Sequence, residues 1–145
     1  MIKKRLKKEI QVLEDESLYI SHDESHDRYT VVASILGPEE TPFAGGVYTF
    51  EFDINLTTYP FQPPEVSLKT PIFHPNFSND RICVDTLSDN WSSTHTLLSI
   101  LVSLQSLLSD PNPDSPLDRE AADMFNEDYD KYVETNQELI KTSTK

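Results

Sequence analysis

Apolar residues recur along the chain with two periods, and the switch between them predicts the elements. Ile2, Leu6, Ile10 and Leu13 sit at spacings of four, four and three, which predicts an amphipathic helix at the start. Asp15 to His26 is polar and reads as a loop. Arg28 to Leu36 is rich in β-branched residues and alternates in part, which predicts a strand. Gly37-Pro38-Glu39-Glu40-Thr41-Pro42 and Gly45-Gly46 are turn clusters. Between Val47 and Ile54, apolar side chains at 48, 50, 52 and 54 alternate with polar ones, which predicts a second strand. Tyr59-Pro60-Phe61-Gln62-Pro63-Pro64 is compatible with neither a central strand nor a helix. Glu65 to Lys69 is a third, short strand.

No period is sustained from Pro71 to Trp91, and a long structureless stretch in a compact domain usually marks function. His95 to Leu108 is helical and apolar on most faces, which predicts a central buried helix with Ser93 and Thr94 as candidate caps. Asp110 to Pro116 is a proline-rich break. Leu117 to Phe125 and Asn126 to Ile140 read as two terminal helices, with Met124, Phe125, Tyr129, Tyr132 and Val133 as packing residues. Strands in one run and helices in another give an α+β class. The expected arrangement is an N-terminal helix, a four-stranded antiparallel meander, an active-site loop segment, a central buried helix and two C-terminal helices.

Composition narrows the function. A chain of 145 residues reads as one domain, 1–145, able to bury a core without staples. The single cysteine excludes an internal disulfide and a Cys-rich zinc site. No signal peptide or membrane span is expected, so the default location is the cytosol or nucleus. A net charge of −13 argues against nucleic acid as the main partner. That charge is unevenly placed. Lys3, Lys4, Arg5, Lys7 and Lys8 are five of the 12 basic residues, and no acid precedes Glu9. The other 137 residues therefore set seven bases against 25 acids, a net −18. The first helix is a solvated face or a docking surface for an acidic partner. Membrane binding is disfavoured, because the apolar stripe is narrow and the acidic body would be repelled by anionic lipid.

Cys83 lies in the segment without a period, close to His74, Asn76, Asn79, Asp80 and Asp85. A lone cysteine is often a small buried hydrophobe. Beside a histidine, amides and carboxylates it is also a candidate nucleophile for acyl transfer. A Cys-His dyad would need a base that lowers the thiol pKa, and nothing in the sequence sets His74 or His95 against Cys83. The four histidines and one cysteine lack zinc spacing, with His22 and His26 in a polar stretch. Gly37, Gly45 and Gly46 match no phosphate-binding loop.

Taken in order, Tyr59-Pro60-Phe61-Gln62-Pro63-Pro64, His74-Pro75-Asn76, Ile82-Cys83-Val84-Asp85, Trp91-Ser92 and Leu107-Leu108-Ser109-Asp110-Pro111-Asn112-Pro113 resemble the pattern of ubiquitin-conjugating enzymes. Ile35-Leu36-Gly37-Pro38 and Pro42-Phe43-Ala44-Gly45-Gly46 fit the same pattern, so the resemblance runs from Lys4 to about Tyr132. It implies a minimal catalytic core, a monomer, that takes ubiquitin from an activating enzyme as a Cys83 thioester. A substrate lysine or a ligase cysteine then attacks. The thioester supplies the free energy, so no cofactor, metal or nucleotide is implied. Asn76 would stabilise the oxyanion or hold the loop that does. His74 would brace Asn76 through backbone bonds. Asp85 is the first candidate to orient and desolvate the lysine, whose amine ordinarily titrates near about 10.4. Asp114 and Ser115 fall where the family places a gate beside the cysteine. Lys4, Arg5, Lys8, Phe61 and Ser93 fall at the positions that dock the activating enzyme and RING or HECT ligases. The alternatives are a carrier of another ubiquitin-like modifier and a non-catalytic ubiquitin-binding variant. The chain departs from the common pattern at four points. Phe77 to Ile82 is one residue shorter than the usual spacer, and Asp80-Arg81 replaces Asn-Gly. Ser93 stands for a common proline and Ser115 for a common aspartate.

Overall fold

Alternation along the middle of the chain builds the sheet. In the computed structural model, residues 2–16, 19–78, 81–82 and 91–143 are described. Four strands form one antiparallel meander: β1 (Tyr19–Glu24), β2 (Arg28–Leu36), β3 (Val47–Asn55) and β4 (Glu65–Leu68). Tyr48, Phe50, Phe52 and Ile54 of β3 and Val31, Ala33 and Ile35 of β2 point to one face and are buried. Thr30 and Val32 of β2 and Thr49, Glu51 and Asp53 of β3 are only partly covered on the other. The register sets Val31 against Phe52 and Ala33 against Phe50, so the buried face is continuous across strands.

Two elements lie where no strand was expected. β1 occupies part of the polar stretch between Asp15 and His26. It is an edge strand whose His22, Asp23 and Glu24 are exposed, so it pairs with β2 without an apolar period. A small hairpin, β5 (Phe77–Ser78) with β6 (Arg81–Ile82), lies in the segment without a period. Two residues per strand are too few to show one.

Among the described residues there are four helices: α1 (Ile2–Glu16), α2 (Leu97–Ser109), α3 (Arg119–Glu127) and α4 (Tyr129–Ser143). On α1, Leu6, Ile10 and Leu13 join the core while the lysines face water. The helix α2 begins two residues later than the pattern suggests, and its cap is Thr96 rather than Ser93 or Thr94. The Thr96 hydroxyl accepts from the Ser99 amide at 3.1 Å, and the Ser99 hydroxyl accepts from the Thr96 amide at 2.8 Å. Nor is α2 buried all round. Leu97, Ile100, Leu101, Leu104 and Leu108 enter the core, whereas Val102 is 49% exposed. The break after α2 extends to Asp118, whose carboxylate caps α3 through the Ala121 amide at 3.0 Å. On α4 Tyr132 is fully buried, while Tyr129 is substantially exposed.

The β2–β3 connection folds back on itself. The Gly37 amide donates to the Gly46 carbonyl at 2.8 Å, and Gln137 of α4 donates to the Pro42 carbonyl at 2.8 Å. This seats Phe43 in the core at zero exposure. A Cβ on Gly37 would stand 1.8 Å from the Phe43 carbonyl oxygen, a backbone atom with no rotamer to escape into. Gly37→Ala is therefore expected to cost about 2–3 kcal/mol in urea unfolding. Gly45→Ala would differ in kind, because Gly45 has open space and a φ of +87°. A wild-type unfolding midpoint for Gly37→Ala would contradict this packing.

Candidate active site

The irregular segment from Pro71 to Asn76 has no ladder of its own, so side chains supply its hydrogen bonds. Asn136 of α4, 1% exposed, holds Phe73 in both directions: Oδ1 accepts the Phe73 amide at 3.0 Å and Nδ2 donates to its carbonyl at 2.8 Å. His74 is fully buried. Its Nδ1 accepts from the Asn76 amide at 3.0 Å, and its Nε2 lies 2.8 Å from the Leu107 carbonyl in the last turn of α2. An amide can only donate and a carbonyl can only accept, so the ring is the neutral Nε2–H tautomer. Burial lowers the His74 pKa to about 4, with the Leu107 bond opposing that shift. Phe77 and Phe43 enclose the ring at 4.8 and 5.6 Å between centroids. With both nitrogens engaged and protonation disfavoured, His74 is built as a brace and has no nitrogen placed to act as a base.

Asn76 extends the brace. It is 1% exposed, its Nδ2 donates to the Asn112 carbonyl at 2.9 Å, and its Oδ1 accepts the Asn112 amide at 2.8 Å. The side-chain amide thus acts as one rung of a ladder against the loop after α2. Asn112 passes the constraint on, because its Oδ1 accepts the Asp114 amide at 3.2 Å. The Pro75 carbonyl accepts from Leu117 at 2.8 Å and from Asp118 at 3.0 Å. Residues 74–76 and 112–118 are therefore fastened to each other through both Asn76 and Pro75. Asp114 and Ser115 stand exposed on that fastened loop.

Cys83 and Asp85 lie outside the described residues, as does Asp80. The chain just before Cys83 is placed: Ile82 pairs with Phe77, which follows Asn76. The β5–β6 pairing so sets Ile82 beside the strand that follows the His74–Asn76 brace.

The five residues expected to dock partners gather on another face. Lys4 and Lys8 are exposed on α1, Phe61 is 80% exposed, and Ser93 is exposed. Arg5 behaves differently, because its guanidinium bonds within the protein, to Glu9 and to the carbonyls of Ser93 and His95. Trp91 is a packing residue whose Nε1 donates to the Pro60 carbonyl at 2.9 Å. His22 is hydrogen-bonded to the Tyr29 hydroxyl at 2.9 Å, and among the described residues no three His, Cys, Asp or Glu side chains form a metal cage.

Four contributors have no role assigned from sequence: Asn112, Asn136, Glu9 and Tyr59, although Asn112 and Tyr59 stand within the quoted motifs. The first two act through partners 36 and 63 positions away, beyond any local pattern. Glu9 carries a signal, as the first acid after a basic run, four residues from Arg5 and next to the apolar Ile10.

A family model described as ubiquitin-conjugating enzyme matches residues 5–140. Among solved structures, a Plasmodium yoelii protein assigned as a ubiquitin conjugating enzyme is 39% identical, with a TM-score of 0.83, covering 95% of this chain and 92% of that one. The E2 domain of a Toxoplasma gondii ubiquitin conjugating enzyme is 32% identical, with a TM-score of 0.81 and 97% coverage of both chains.

The His74 environment makes stability depend on pH. An unfolded histidine titrates near 6.5 and the buried one near 4, so the unfolded chain binds more protons between those values. The stability that neutral His74 provides is complete above pH 6.5 and is lost as pH falls towards 4. Between pH 7 and 4, wild type should lose about 3 kcal/mol more than His74→Gln in urea unfolding. Parallel pH profiles for the two proteins would refute the buried neutral imidazole.

Proposed function

We propose the following activity for the chain, which belongs to the ubiquitin-conjugating enzyme family: it carries ubiquitin as a thioester on Cys83 and transfers it to an amine. The Cys83 thiolate attacks the thioester carbonyl on the activating enzyme. A new S–C bond forms and the activating enzyme's thiolate leaves. A lysine amine then attacks the same carbonyl, the isopeptide bond forms, Cys83 departs as thiolate, and the amine sheds a proton. With a HECT-type ligase a second cysteine takes the place of the amine. With a RING-type ligase the transfer goes directly to lysine. A free thiol and a thioester suit a reducing compartment, the cytosol or nucleus.

The observation that carries this reading is the rigid brace beside the approach to Cys83. Both transfers build negative charge on a carbonyl oxygen, and stabilising it requires dipoles that need not reorganise. His74, Asn76 and Asn112 hold two loops in one arrangement through four hydrogen bonds of 2.8 to 3.0 Å. Asn76 contributes by holding the 112–118 loop. Asp85 orients the incoming lysine and receives its proton. Asp114 and Ser115 border the approach.

Incubation with activating enzyme, ATP and ubiquitin tests this on a non-reducing gel. Wild type should give a thiol-sensitive adduct, Cys83→Ser a thiol-resistant ester and Cys83→Ala none. An adduct with a different modifier alone would reassign the cargo, and no adduct with any modifier would sink the catalytic reading. Asp85→Ala should load normally and discharge to free lysine about 10²-fold more slowly. Discharge at the wild-type rate would remove Asp85 from its role.

A further inference from the structure

The docking face is assembled from three separate pieces of chain, and one buried carboxylate joins them. The Glu9 side chain is 7% exposed. Its Oε1 accepts the Tyr59 hydroxyl at 2.8 Å and the Leu97 amide at 2.7 Å. Its Oε2 accepts Nε of Arg5 at 3.0 Å. Leu97 is the first residue of α2, so the carboxylate also sits at the positive end of that helix. A buried anion of this kind needs full hydrogen bonding and an opposite charge, and it has both.

Arg5 completes the assembly. Two of its terminal nitrogens donate to the Ser93 carbonyl at 2.8 Å and the His95 carbonyl at 2.6 Å. Its guanidinium lies 5.4 Å from the centre of the Tyr59 ring. The loop holding exposed Ser93 and the turn holding exposed Phe61 are thereby tied to α1. Trp91 closes the set by donating to the Pro60 carbonyl, one residue before Phe61.

We propose that Arg5 and Glu9 are a positioning pair: they present Phe61, Ser93 and the α1 lysines in one fixed geometry, and Arg5 serves the partner through the loops it holds rather than as a free charge. The inference rests on the reading of this face as the surface for the activating enzyme and ligases. The electrostatic part of docking then belongs to Lys4 and Lys8, which are exposed and face an acidic partner. The distinction has a chemical signature. A lysine at position 5 keeps the charge but lacks the planar fork whose three nitrogens, one of them mid-stem, reach Glu9, Ser93 and His95 together. Arg5→Lys should therefore fail like Arg5→Ala. For a simple charge contact, it would behave like wild type.

The test has one arm that needs no activity. In native-state hydrogen exchange on the unloaded protein, the Leu97 amide, at a helix position with no partner of its own in α2, should be protected through Glu9. Protection should fall about tenfold or more in Glu9→Gln and Arg5→Lys. The second arm measures the protein as substrate for loading by activating enzyme. Arg5→Lys and Arg5→Ala should both raise KM by about tenfold, with kcat within about twofold of wild type. Tyr59→Phe removes one donor to Glu9 without altering α1, and it should raise KM about threefold. Wild-type KM in Arg5→Lys or in Tyr59→Phe, or an unprotected Leu97 amide in wild type, would overturn the proposal. If wild type itself is not loaded, the activity proposed above fails, and the exchange arm still decides the positioning pair.

Discussion

A neutral imidazole in the core is the constraint from which the site is built. His74 accepts the Asn76 amide on one nitrogen and donates a hydrogen bond to the Leu107 carbonyl from the other. The irregular segment is thereby locked to the end of α2. Everything on that side of the molecule is hung from this point: Asn76 reaches Asn112, Asn112 reaches Asp114, and Pro75 takes the amides of Leu117 and Asp118. Loops normally move relative to their scaffold. Here two loops that are 36 residues apart in sequence are joined through the buried Asn76, which suits a site that must hold dipoles still while charge develops.

The other end of α2 is held by the same kind of device with opposite chemistry. At the C-terminal end the anchor is neutral, a histidine donating a hydrogen bond to a carbonyl. At the N-terminal end it is an anion, Glu9, accepting the Leu97 amide. The helix α2 thus carries one anchored surface at each end, and its leucines fix its position against the sheet. The charge asymmetry of the chain fits this plan. The basic residues of α1 project from a surface assembled around a buried acid, while the rest of the protein is acidic and would repel an acidic partner that approached elsewhere.

What can be read from sequence follows the physics of each element. The strands β2 and β3 are legible because one face of each is dry, and a dry face imposes alternation. Strand β1 is not, because an edge strand with exposed His22, Asp23 and Glu24 pairs with β2 without a dry face to impose alternation. The start of α2 lies two residues beyond the pattern because Ser93 and Thr94 look as good as Thr96 in isolation. The Thr96–Ser99 box and the distant Glu9 decide between them. The motif residues His74, Asn76, Phe61 and Ser93 are legible through resemblance and are placed in two groups, while Cys83 and Asp85 lie outside the described residues. Arg5 is legible as basic but not as internally bonded. Asn136 is silent and Asn112 is legible only as part of a motif, because a side chain that substitutes for backbone pairing leaves no periodic trace.

In the proposed function, the Asn76 rung on the 112–118 loop organises the transfer chemistry. Single-turnover discharge of the preformed Cys83 thioester to free lysine measures this with loading already complete. Asn76→Ala should load within about twofold of wild type and discharge about 10²-fold more slowly. An Asn76→Ala thioester that discharges at the wild-type rate would contradict it.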